Sequence, residues 1–154
     1  MPLLTQTEQR RFEADILRRV FETLIDRTGR AEALKVIGEA TRDVAREAGK
    51  ALAESCDTTP NLPHFATVVN TWRSGRSLDI GKFEIGLDKM RVVIKRCAHI
   101  DAYRELGLPD DLACQLACVR EEAFAEGYST RLSFKRPTSI CQDNKPCELI
   151  YTWK

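Results

Sequence analysis

A chain of 154 residues with 24 basic and 23 acidic side chains carries a formal charge of +1. It has no basic excess of the kind that a nucleic-acid groove or a membrane-surface patch requires. The apolar share, 43%, is that of an ordinary globular protein, and the length suits a single domain, 1–154, burying about 70% of its unfolded surface. No apolar run approaches the roughly 20 residues of a membrane span and no signal-type segment opens the chain. A cytoplasmic setting is therefore expected, with the six cysteines as reduced thiols rather than a disulfide framework.

Thr5-Gln-Thr-Glu8 is a capping box, so a first helix starts there. Phe12, Ile16, Val20, Phe21, Leu24 and Ile25 recur at helical spacing, and Gly29 stops the helix. A second helix, about Arg30 to Ser55, carries Leu34, Ile37, Val44, Ala48 and Leu52 on one stripe, with Thr41 among them. Small residues there let two helices approach closely, which predicts an antiparallel helical pair over 1–56. The pair also offers a surface for a homo-oligomer. Asp57-Thr-Thr-Pro-Asn-Leu-Pro63 is turn-forming, and Leu62, Phe65, Val69 and Trp72 predict a short third helix with His64 at its start.

In 62–154, Phe83, Ile85 and Leu87 alternate, Asp88-Lys89 can turn, and Met90, Val92 and Ile94 alternate again. This is a hairpin with one apolar face. A short helix from Asp101 to Leu106 ends at Gly107. A longer one opens at Pro109-Asp110-Asp111 and runs to about Gly127, since proline and acids favour a first turn. Arg131 to Arg136 reads as a third strand and Glu148 to Trp153 as a fourth. Cys141-Gln-Asp-Asn-Lys-Pro-Cys147 serves as the hairpin turn between them. The fold class expected is α+β: an antiparallel sheet of about four strands in two hairpins, packed with helices and preceded by the helical pair.

Five of the six cysteines fall between 97 and 147, so that stretch is where chemistry is sought. Cys114, Cys118 and Glu121 share one face of a continuous helix. A carboxylate raises the pKa of a neighbouring thiol, so Glu121 fits as a proton acceptor rather than a thiolate stabiliser. Buried core thiols are the bland alternative for Cys114 and Cys118. Cys97 and His99 share a face if the strand runs through both, which would make an activated pair. Arg131, Lys135 and Arg136 lie on the third strand, where a single inward arginine could clamp a carboxylate, against an edge-protecting role for all three. Cys97, Cys118, Cys141 and Cys147 could instead form a four-thiolate metal site, although only Cys114 and Cys118 have the close spacing of paired zinc ligands.

Cys97, Tyr103-Arg-Glu-Leu-Gly107, Cys118 with an acid three residues on, Arg136 with Ser139-Ile140, and Cys147 before an aromatic-ended strand form a recognisable series. Over most of its length the chain resembles the L-2-amino-thiazoline-4-carboxylic acid hydrolase family, whose founding activity opens a cyclic isothiourea to an N-carbamoyl-cysteine. The resemblance implies a cysteine-assisted hydrolase with no metal or other cofactor, acting on a small carboxylate-bearing substrate. Its catalytic residues would be Cys118, Glu121 and Cys97. Arg136 would hold the carboxylate, Ser139 would donate to a developing charge, and Cys147 and His99 would complete the pocket. Two departures are visible. Glu121 replaces the family's usual Asp, and Arg136-Pro137-Thr138-Ser139 followed by Asp143-Asn144 replaces its Arg-Thr-x-Thr and Gly-Asp. These favour a shifted substrate, and they also keep a non-catalytic ligand-binding member of the fold as an alternative.

Overall fold

The computed structural model describes residues 3–154. Helix α1 (Gln6–Thr28) begins at the capping box: the Thr5 side chain accepts from the Glu8 N–H, and the Glu8 carboxylate accepts from the Thr5 N–H. Gly29 ends it at φ 85°, a conformation that costs glycine little, and α2 (Arg30–Glu54) follows at once. The single helix expected over 62–72 is two short ones, α3 (Leu62–Phe65) and α4 (Val68–Ser74). Asn61 caps α3 by accepting from the His64 N–H, while the His64 Nδ1 meets the Tyr128 hydroxyl at 2.8 Å.

Strands β1 (Leu78–Ile85) and β2 (Lys89–Cys97) form the first hairpin, and β3 (Leu132–Lys135) and β4 (Cys147–Trp153) the second. They join as an antiparallel sheet of order β1-β2-β4-β3. Met90, Val92 and Ile94 of β2 and Cys147, Leu149 and Tyr151 of β4 point into the core, as a period of two demands. Leu87 does not belong to that face; it is fully exposed in the turn of the hairpin. The expected α+β class, four-stranded sheet and N-terminal helical pair are all present.

Three local expectations change. The helix opening at Asp110 is two helices, α6 (Asp110–Ala117) and α7 (Arg120–Tyr128), separated by a turn at Cys118-Val119. Arg120 supports the break: its Nε donates to the Leu116 carbonyl at 2.7 Å, the acceptor its own N–H would use in an unbroken helix. The 141–147 link is no bare turn. It contains α8 (Ile140–Asp143), with the Ser139 hydroxyl accepting from the Cys141 and Gln142 N–H groups. Asn144 ends α8 at φ 53°, where asparagine is tolerated. Finally, Cys114 and Cys141 are disulfide-bonded, tying α6 to α8 across a sequence separation of 27, so not all six cysteines are free.

Two apolar cores meet behind the sheet. One lies between the sheet and α3, α4 and α7, around Phe65, Met90, Leu149 and Tyr151. The other lies among α1, α2, α6 and α5 (Ala98–Glu105), around Phe21, Ile37, Tyr103 and Leu112. Cys97 packs against both. Helices α2 and α7 run together with backbones in contact. A Cβ at Gly49 would run into the Phe124 carbonyl, and one at Gly127 into the Arg46 carbonyl. Gly127→Ala is expected to lower stability by about 1–3 kcal/mol or more through overpacking, read as a fall in the urea midpoint. Cys114→Ser is expected to cost about 3–4 kcal/mol by releasing the loop, with reductant lowering the wild-type melting temperature and leaving the variant's unchanged.

Candidate active site

The seam between the two cores holds a small enclosed cavity of about 20 Å³, enough for about one water. Cys97 comes from the end of β2, Cys118 from the α6–α7 turn, Cys147 from the start of β4, Glu121 from the first turn of α7, and Arg136 from just beyond β3. Five of the residues expected at the site therefore share one wall. Cys141 is also in that wall, but is bonded to Cys114. That bond removes Cys141 from the four-thiolate set. Among the described residues, no group of three or more His, Cys, Asp or Glu side chains could hold a metal ion.

Arg136 Nη2 donates to Glu121 Oε2 at 2.8 Å, with both side chains largely buried. Burial raises the Glu121 carboxyl above the usual range, and the Arg136 guanidinium opposes that rise. The thiols are held neutral. Burial pushes Cys97 up to about 11 and Cys118 up to about 12, with the Glu121 charge adding to both. Cys147 is raised as well by burial, against hydrogen bonds from the Ile140 N–H and the Ser139 side chain. Arg136 Nε and the Tyr151 hydroxyl are buried without a hydrogen-bond partner among the described residues. Tyr151 escaped sequence reasoning, although its register two residues beyond Leu149 puts it on the Cys147 face.

Two expected residues take other positions. Ser139 is 2% exposed and its hydroxyl is the N-cap of α8, so it acts through α8 and Cys147 and does not line the cavity. His99 is separated from Cys97 because the strand ends at Cys97 and α5 begins at Ala98. The shared strand face needed for a Cys–His pair is absent. His99 lines a second, larger cavity of about 340 Å³, together with Arg10, Tyr103 and Arg120. That volume lies in the about 300–1,000 Å³ range of ligand pockets. The two cavities share Leu78, Ala117 and Glu121. Sequence reasoning passed over Arg10 and Arg120 and met Tyr103 only within the family-like series, because the three come from three helices with no common spacing.

The sequence pattern of the family described as L-2-amino-thiazoline-4-carboxylic acid hydrolase matches residues 9–151. The chain belongs to that family. No curated protein matches it in sequence. Among solved structures, the phenol-responsive sensory domain of the transcription activator PoxR with phenol is similar in fold. Its TM-score is 0.54 at 8% identity, over 99% of this chain and 76% of that one. A trafficking protein particle complex subunit 3 from Naegleria fowleri, covalently bound to palmitic acid, gives a TM-score of 0.49 at 8% identity over 93% and 96% of the two chains. No helix among the described residues is long and apolar enough to cross a membrane.

The sign of the Glu121–Arg136 coupling is testable. A carboxyl raised in the folded state adds stability below its unfolded pKa and loses it as pH rises through the folded value. Removing the opposing guanidinium deepens that loss. Arg136→Gln is expected to be slightly destabilised near about pH 4.5 and by about 3 kcal/mol at about pH 8, read from urea midpoints across the range. A deficit independent of pH would mean that the pair is not coupled.

Proposed function

We propose that the protein is a small hydrolase that adds water at the amidine-type carbon of a cyclic isothiourea or related ring in a small carboxylate-bearing substrate. The observation that supports this reading, beside the family membership, is the position of Glu121. Glu121 lines both the thiol cavity and the ligand-sized one, which puts one candidate proton carrier next to both.

In this reading Cys118 gives its proton to Glu121 as its sulfur bonds to the ring carbon. The ring carbon–sulfur bond then breaks, and Glu121 passes the proton to the departing ring sulfur. Water attacks the same carbon and loses a proton to Glu121. The bond to Cys118 breaks, and the thiolate recovers that proton. One water is consumed and no oxidant is needed. Cys97 and Cys147 supply a soft, apolar surround for the two sulfurs, and Ser139 holds Cys147 in place. Arg136 orients Glu121 and opposes the rise in its proton affinity, rather than holding the substrate carboxylate.

A second reading, ligand binding without turnover, is favoured by one observation: the similar PoxR sensory domain was solved with phenol. A product assay separates the two. The protein is incubated with L-2-aminothiazoline-4-carboxylate and a panel of cyclic isothioureas and amidines, and ring-opened products are sought by mass spectrometry. A product heavier by one water is expected from at least one member. Cys118→Ala should abolish it, and Glu121→Gln should slow it by about 10²–10⁴-fold. Wild-type rates in Cys118→Ala would sink the assignment. Saturable binding without product would favour the second reading.

A further inference from the structure

The 340 Å³ cavity has more room than a single five-membered ring needs, and its two ends differ in chemistry. One end is apolar. Ala45 and Leu52 of α2, Val68 and Trp72 of α4, and Phe124 of α7 form it, with Val44, Ala48, Thr67 and Thr71 exposed at its rim. The other end is cationic. Arg10 of α1 and Arg120 of α7 reach it, and their side chains are 23% and 17% exposed.

These two guanidinium groups share one counter-charge. Arg10 Nη1 lies 2.8 Å and Arg120 Nη2 3.4 Å from the same oxygen, Oε2 of Glu13. That carboxylate is half-exposed, so solvent weakens its hold on both. The other acid at the cavity, Glu121, is engaged by Arg136. The cationic end is therefore left with excess positive charge. Burial and the Arg10 charge lower the Arg120 pKa, the response of a cation short of anions. His99 adds no charge, since burial and the arginines bring it down to about 4. Its Nδ1 is buried without a hydrogen-bond partner among the described residues, which leaves a neutral polar atom beside the arginines.

We propose that this cavity binds an amphipathic carboxylate, its anionic head between Arg10 and Arg120 near His99 and its apolar body toward Trp72. This deepens the hydrolase reading and rests on it in one respect only, that the bound molecule is the substrate and its reactive carbon lies beside Glu121. The ligand class follows from the cavity itself. A carboxylate supplies the second counter-charge and accepts charge-assisted hydrogen bonds from two forks, and the apolar end gives a neutral tail somewhere to leave water. The substrate would thus be larger and more apolar than the founding aminothiazoline. Glu121 then faces the ligand from one cavity and the thiols from the other.

The test uses the full chain, as wild type and as Cys118→Ala so that turnover plays no part. Binding of 4-phenylbutyrate and of neutral 4-phenylbutyramide is compared by titration calorimetry. The carboxylate is expected to bind, and the amide about ten-fold or more weakly, as the loss of a charged hydrogen bond predicts. Arg120→Gln and Arg10→Gln should each weaken the carboxylate about ten-fold and leave the amide alone. Ala48→Phe, a substitution at an exposed rim position, should block both ligands without disturbing the fold. Arg11→Gln, on a half-exposed arginine outside the cavity, should change nothing. If Arg120→Gln fails to fold, Arg10→Gln carries the charge test. The proposal is overturned by no binding of either probe, by equal binding of both, or by folded arginine variants that bind like wild type. Charge-selective binding in a protein that opens no cyclic isothiourea or amidine would keep the pocket and remove the hydrolase reading. Turnover without such binding would do the reverse.

Discussion

The close approach of α2 to α7 is the constraint from which both cavities follow. Gly49 and Gly127 let the two backbones touch, nearer than helices carrying ordinary side chains at the crossing. Arg42–Glu122 and Arg46–Glu126, each at 2.9 Å, run along the same interface. Exposed pairs of this kind add little energy, but they fix the rotation of α7 about its axis. With that rotation set, the first turn of α7 presents Arg120 to the large cavity and Glu121 to both. The apolar hollow forms beside the crossing, where α2 turns Ala45 and Ala48 toward α4 and α7.

The break between α6 and α7 is the second half of the same arrangement. A continuous helix would stack Cys114, Cys118 and Glu121 along one face. In the structure Cys114 bonds to Cys141 of α8, while Cys118 and Glu121, on either side of the turn at Cys118-Val119, join Cys97 and Cys147 at the seam. Arg120 is central to this break. Its Nε satisfies the Leu116 carbonyl that the break exposes, and its Nη2 reaches Glu13 at the cationic end of the large cavity. One side chain thus takes up a helix terminus and charges a pocket.

The periodic elements were legible because each carries its own signal. Thr5 and Glu8 mark a helix start, Gly29 a stop, and alternation in Met90-Val92-Ile94 a buried strand face, all within a few residues. The thiol cluster was legible through resemblance, since Cys97, Cys118 and Cys147 stand far apart in sequence and no spacing rule unites them. Three features were not legible, for three physical reasons. The Cys114–Cys141 bond depends on where α8 packs, which the turn-like composition of 141–147 conceals. The helix break depends on a side chain competing for a carbonyl, which periodicity cannot register. The cationic end of the large cavity depends on Arg10 and Arg120 sharing Glu13 across 107 residues, and in sequence such charges look like solvated helix faces.

The electrostatics then decide how the thiols can work. Pushed up to about 12 by burial, Cys118 is a neutral thiol at neutral pH. A preformed thiolate is therefore the wrong picture for this site, even though Cys97 stands at the N-cap of α5, because burial outweighs the backbone hydrogen bonds from Ile100 and His99 there. Arg136, the cation that acts on Cys118, already has Glu121 as its partner, and Glu121 pushes both Cys97 and Cys118 further from ionisation. A neutral thiol can still be a nucleophile if its proton leaves as its sulfur bonds, and that needs a base held within reach. In the proposed reaction Glu121 is that base: burial raises its proton affinity above that of a solvated carboxylate, and the Arg136 guanidinium opposes the rise. The same feature that makes the resting thiols inert makes the carboxylate a better base. In the proposed hydrolase, reactivity is withheld until a ligand with an electrophilic carbon enters, and the pocket selects by charge and shape rather than by thiol reactivity.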